Sequence, residues 1–153
     1  MGDIIGKILG VIIAFMLCII SPVIVTIMAD NMEDRRTIFN ETTQFIDEVI
    51  DVGTITEAQM KDFYYGVSSY GPVCSVTVYR YIRTVQQDAN GDNHTTYIPQ
   101  DVSTQTYPVK FNQGDLVKVT VEATGYTGAQ EIAYNILGHA LKPIEFSLSG
   151  RVR

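Results

Sequence analysis

Residues Ile8 to Ala29 read ILGVIIAFMLCIISPVIVTIMA and contain no charged side chain. As a helix this run spans about 33 Å, enough to cross a bilayer core of about 30 Å. A buried helix of a soluble protein is usually shorter and flanked by caps. A secretory signal has an apolar region of about 7 to 15 residues and a small-residue cleavage site. Here Asp30, Asn31, Met32, Glu33, Asp34 and Arg35 follow the run, with no A-x-A pattern. The segment is therefore expected to be retained as a membrane anchor. Lys7 on one flank and Arg35 with Arg36 on the other do not decide its orientation by count. The remainder is rich in Thr, Tyr, Val and Gly, and the net charge is −6. That composition leads us to expect a C-terminal domain outside the cytoplasm.

The 153-residue chain thus divides into a transmembrane helix over 1–29 and one soluble domain over 30–153. Cys18 lies inside the apolar run and Cys74 beyond it, so no disulfide is expected. Both read as small buried hydrophobes. An acidic chain with no basic stripe points away from nucleic acid as a partner.

Past Ala29 the apolar positions become helical in period, with Ile38, Phe45, Val49 and Val52 on one line and Phe39, Ile46 and Ile50 beside it. Glu41, Gln44, Glu48 and Asp51 occupy a polar line. No Pro or Gly interrupts Val23 to Val52, so a single helix from about Ile4 to Val52 is predicted, ended by Gly53. Thr56 and Gln59 have the form of a capping box, opening a second helix that runs to about Ser69, before Gly71-Pro72. Thereafter the period is two. Cys74, Val76 and Val78 form one buried face, Val117, Val119 and Val121 a second, and Ile144, Phe146, Leu148 and Val152 a third. Tyr107, Val109 and Phe111 predict a fourth strand, joined to the Val117 strand by a hairpin through Asn112 to Asp115. Gly125 to Gly138 predicts a short helix between the last two strands. The expected fold class is α+β: a long N-terminal helix, half membrane-spanning and half amphipathic, packed on an antiparallel sheet.

Little in the chain points to catalysis. Asp88, Asn90 and Asp92 match the first three ligand positions of an EF-hand loop, but Asn93 replaces its Gly and Pro99 its bidentate Glu. Asn90-Gly91 reads instead as a hairpin tip. His94 and His139 lie far apart, with no triad or ligand spacing around them, and read as surface imidazoles. G-x-S-x-G, H-E-x-x-H and a phosphate-cradling glycine loop are all missing. No enzyme activity, cofactor, metal or small-molecule substrate is therefore expected. Asn40-Glu-Thr42 and Asn93-His-Thr95 fit the glycosylation acceptor pattern.

Interaction signals are stronger. Gly6 and Gly10 have the G-x-x-x-G spacing of close helix packing in membranes, and Pro22 is positioned to bend or open the helix. Tyr64, Tyr65 and Tyr70 are candidates for a subunit interface, with Tyr79 and Tyr81 nearby. The outer face of a sheet is an equally good place for such rings.

This layout resembles the type IV pilins and pseudopilins, including the small pseudopilins of tight-adherence (Tad) pilus systems. The likeness rests on Ile8 to Ala29 with Pro22, on the helix Asn31 to Val52, and on the sheet beneath it. The resemblance implies a structural subunit of a cell-surface filament. Its partners would be copies of itself or other pilus subunits, and the membrane. Members of that family are processed after a Gly that ends a basic leader, leaving an acid at the fifth mature position. Met1-Gly2-Asp3 departs from this pattern, and Asp3 is the one acid near this end. Asp3 has two readings: meeting the terminal amine of a neighbouring subunit, or pairing with Lys7 one helical turn on. The alternative to a filament subunit is a non-polymerising single-pass protein that serves as an assembly factor or receptor.

Overall fold

The computed structural model describes residues 2–88, 91–137 and 143–153, without the side chains of residues 2, 3, 129, 133, 136 and 137. Helix α1 (Gly2–Val52) is one element of 51 residues, about 75 Å long. It begins two residues before the expected Ile4. Inside it, Pro22 has no N–H to give the carbonyl one turn back, and the Thr26 hydroxyl donates to the Pro22 carbonyl at 3.0 Å. Gly53 ends the helix with φ 69°, donating its N–H to Val49 O at 2.8 Å.

After the short strand β1 (Thr54–Ile55), helix α2 (Glu57–Ser68) starts at the expected capping box. Gln59 N–H donates to Thr56 Oγ1 at 3.2 Å, and Thr56 N–H donates to Gln59 Oε1 at 2.9 Å. Gln59 Nε2 then donates to Glu48 of α1 at 2.8 Å. Near the other end of α2, a side chain at Gly66 would touch Glu41, so α2 runs back along α1 in the opposite direction.

Four longer strands follow or flank the remaining elements: β2 (Cys74–Gln87), β3 (Asn93–Asp101), β5 (Leu116–Ala123) and β6 (Glu145–Arg151). They form an antiparallel sheet in the order β3-β2-β5-β6, with helix α3 (Gly128–Leu137) between β5 and β6 in sequence. Val78 pairs with Val119 and Val119 with Leu148; Val76 pairs with Val121 and Val121 with Phe146. This register puts the expected apolar alternates on one face, against Ile38, Phe45, Ile46 and Val49 of α1 and Phe63 and Val67 of α2. The fold is α+β, a long N-terminal helix packed on antiparallel sheet.

Several local expectations are corrected. Tyr107 to Phe111 yields only the two-residue β4 (Val109–Lys110), which pairs with β1 rather than with β5. The fourth strand of the main sheet is β3, the return of the hairpin expected at Asn90-Gly91; its polar sequence lacks a two-residue period because almost none of it is covered. Val52 and Phe39 are exposed, since the buried stripe is narrower than the apolar one; Phe39 meets Phe146 at its edge, with ring centroids 5.9 Å apart. Thr42 is fully buried instead, its hydroxyl donating to Ile38 O at 2.8 Å. Cys74 is buried as expected, but Cys18 is exposed on the bare half of α1.

Candidate functional site

The first half of α1 has no cover. An 18-residue window within it has mean hydropathy 3.0, and none of it is buried. Ile8, Leu9, Val11, Phe15, Met16, Leu17, Val23 and Val25 all stand exposed. An exposed apolar surface this long marks an interaction or membrane site, and this helix is long and apolar enough to span a membrane. Gly6 and Gly10 lie one turn apart on one face, and a Cβ added at either would meet nothing within 4 Å. Their spacing is the one at which membrane helices can approach closely. Lys7 is exposed on the same segment. The side chain of Asp3 lies outside the described residues, as do Asn90 and His139.

The domain grips the helix where the apolar run ends. Asn31 is the first buried residue of α1, and its side-chain oxygen accepts from Gln130 Nε2 of α3 at 3.3 Å. Arg35 Nη2 donates to Pro143 O, just before β6, at 3.1 Å. Asp34 faces Gly71, where φ is 84° and any Cβ would press on the carboxylate. Burial, then the charges of Asp30 and Glu33, push the Asp34 carboxyl above the usual range. At this point α1 is bonded to α3 and to the segment before β6, and it lies against the turn at Gly71.

On the outer side of α2, Tyr64 and Tyr65 join Met60, Tyr107 and Ser103 around an apolar groove of about 350 Å³. The Tyr64 and Tyr65 rings meet edge to face at 6.2 Å. The Lys61–Glu57 ion pair, 2.7 Å and exposed, forms its rim. Tyr70 is brought elsewhere: it lies in the turn after α2 and does not line this groove. Tyr79 and Tyr81 are half-buried on the sheet.

One polar centre is absent from the sequence reading. Asp115 is 1% exposed, and its carboxylate accepts from Arg80 Nε at 2.9 Å, Arg80 Nη2 at 2.7 Å, Arg83 N–H at 3.0 Å and Asn112 N–H at 2.9 Å. Burial alone raises its pKa, but the Asn112 and Arg83 amides and the Arg80 guanidinium outweigh this and leave it lowered. Arg80 also lies 5.4 Å from the centre of the Phe111 ring. The segment Asn112 to Asp115, expected as a hairpin connection, is instead a loop wound around this carboxylate. Sequence held one signal for it, an arginine at a core-facing position of β2.

The remaining chemistry-bearing residues stay apart. His94 Nε2 is 4.0 Å from Asp88, both exposed at the β2–β3 turn, where Gly91 N–H donates to Asp88 O at 2.8 Å. The Cys74 thiol donates to Pro72 O at 3.3 Å, and burial raises its pKa, which keeps it a thiol. Among the described residues, no three His, Cys, Asp or Glu side chains gather as a metal site would require. No family model, curated protein sequence or solved structure matches this chain.

Proposed function

We propose that the protein is a pilin-like structural subunit of a cell-surface filament, assembling through its apolar N-terminal helix and carrying its α+β domain outside the cytoplasm. One observation carries this reading: the uncovered apolar half of α1 and the core helix of the domain are a single unbroken element. A flexible linker would be enough for a simple anchor. A rigid helix transmits the packing of the apolar half to the position of the domain, as a helical polymer demands. Leaving lipid for a bundle of sister helices exchanges one apolar surrounding for another, so the choice rests on packing at Gly6, Gly10 and their neighbours. The tyrosine groove of α2 supplies a second, half-polar surface for a neighbouring domain.

The role is structural rather than catalytic, with copies of the chain or other pilus subunits as partners. Shearing intact cells that express the protein, then imaging the released material by negative-stain electron microscopy with an antibody to the domain, tests it. Labelled fibres are expected. Protein confined to the detergent-soluble membrane fraction would replace this reading with that of a single-pass assembly factor or receptor.

A further inference from the structure

Charge in this chain is segregated by layer. Residues 30–69, the second half of α1 with α2, carry nine acidic and three basic side chains, whereas residues 74–153 carry seven of each. The net charge of −6 therefore resides on the helical layer. There, Glu41, Glu48 and Asp62 line a groove of about 230 Å³ between α1 and α2, and no basic side chain lines it. Its floor is the stacked pair Phe45 and Phe63, with ring centroids 4.3 Å apart.

The sheet carries the opposite feature. Tyr81 pairs with Leu116 and Leu116 with Arg151, while Arg83 lies two residues beyond Tyr81, so both arginines fall on the face turned away from α1. Together with Arg153 they line a hollow of about 550 Å³ over Gly114. Gly114 has φ 91°, and a Cβ there would sit 3.3 Å from Arg83 Cδ and 3.6 Å from Arg151 Nη2. The bare backbone lets both side chains reach over one point. Asp115, next in the chain, is already committed to Arg80 and to two amides. Among the described residues, none of Arg83, Arg151, Arg153, Glu41, Glu48 and Asp62 takes part in an ion pair. Like charges held this close repel, and a partner bringing carboxylates would turn the repulsion into charge-assisted hydrogen bonds.

We infer that the arginine hollow of one copy docks on the carboxylate groove of the next copy. The inference rests on the filament reading and specifies its contact. Three guanidinium groups meet three carboxylates, and a planar guanidinium suits a groove floored by aromatic rings. Hollow and groove lie on different layers of the same domain, so one copy cannot satisfy both by itself. The contact joins two different surfaces and is therefore heterologous, the class of interface from which a fibre can be built.

The test uses the full chain. Arg151→Glu with Arg153→Glu, and separately Glu48→Lys with Asp62→Lys, are each expected to reduce assembled material about tenfold, and the four changes together to restore it. All four sites are exposed, and circular dichroism checks that each variant is folded. Independently, Asp62→Cys with Arg153→Cys in a Cys18→Ser background should give a ladder of disulfide-linked multimers in mild detergent, and neither cysteine alone should do so. Undiminished assembly in either reversed pair, or no recovery in the fourfold variant together with no ladder, overturns the docking. Fibres that persist in every variant overturn it while leaving the filament reading intact. A native chain that forms neither fibre nor multimer overturns both.

Discussion

At the scale of single residues, a few polar positions tie distant parts of the fold together. Asp115 is the most consequential, because four hydrogen bonds converge on a carboxylate that is almost wholly buried. Asp115→Asn leaves Arg80 without a counter-charge, and thermal or denaturant unfolding of the full chain in detergent should show a loss of about 3 kcal/mol. The sign of its pH dependence follows from the lowered pKa. The folded-state value lies below the 3.8 of an unperturbed aspartate, so its stabilisation is complete above that pH and is lost as pH falls through the folded-state value. Asp34 behaves oppositely. Its raised pKa means that the fold favours the protonated form, a contribution present at low pH and lost as pH rises through the folded-state value. Asp34→Asn should therefore raise the melting temperature at neutral pH and leave it unchanged in acid. The neighbouring charges of Asp30 and Glu33 and the nearby Asn112 amide are visible in the chain, but the burial of Asp34 and the Arg80 and Arg83 partners of Asp115 come from residues far away in sequence.

Among the elements, two junctions decide how helix and sheet fit. Gly150 pairs with Val117 in the row facing α1, and a Cβ there would overlap Ile46 and Ile50. The glycine lets the helix lie directly on β6. Gly150→Val should destabilise the domain by about 1 to 3 kcal/mol, measured by chemical denaturation, through overpacking rather than through backbone strain. Thr56 closes the cap of α2 and orients Gln59 toward Glu48. Thr56→Ala should cost about 1 kcal/mol in the same assay. The capping box was readable from two residues three apart, since its chemistry is local. The glycine in β6 interrupts an otherwise clean alternation, and only the crossing of α1 gives that gap its reason.

At the scale of the whole molecule, the apolar half of α1 is uncovered while the other half is the centre of the core. Where the two halves meet, Asn31 bonds Gln130 of α3 and Arg35 bonds the Pro143 carbonyl. Under the filament reading, replacing Gly6 and Gly10 by Leu hinders the close approach of a second helix, and sheared fibres should fall in number or vanish. Membrane retention, assayed by alkaline extraction, should be unchanged, because Leu is at least as apolar as Gly. Unchanged assembly would remove those glycines from the contact.

The apolar run long enough to cross a membrane, the unbroken helix to Val52, the cap at Thr56 and the buried faces of β2, β5 and β6 are all legible in the chain. Each of these is periodic or local, so neighbouring residues carry the whole signal. The Asn90-Gly91 hairpin tip pointed to a returning strand, but only the three-dimensional packing shows that Val109 and Lys110 pair with β1, how far the polar β3 extends, and that the Asn112 to Asp115 loop winds around a buried carboxylate. The packing also decided that Tyr64 and Tyr65 share a groove that Tyr70 does not reach, and that Arg83, Arg151 and Arg153 converge. The physical reason is common to all of them. Strand pairing, ion pairing and surface clustering join residues distant in the chain, and no period along the sequence records which strand lies beside which.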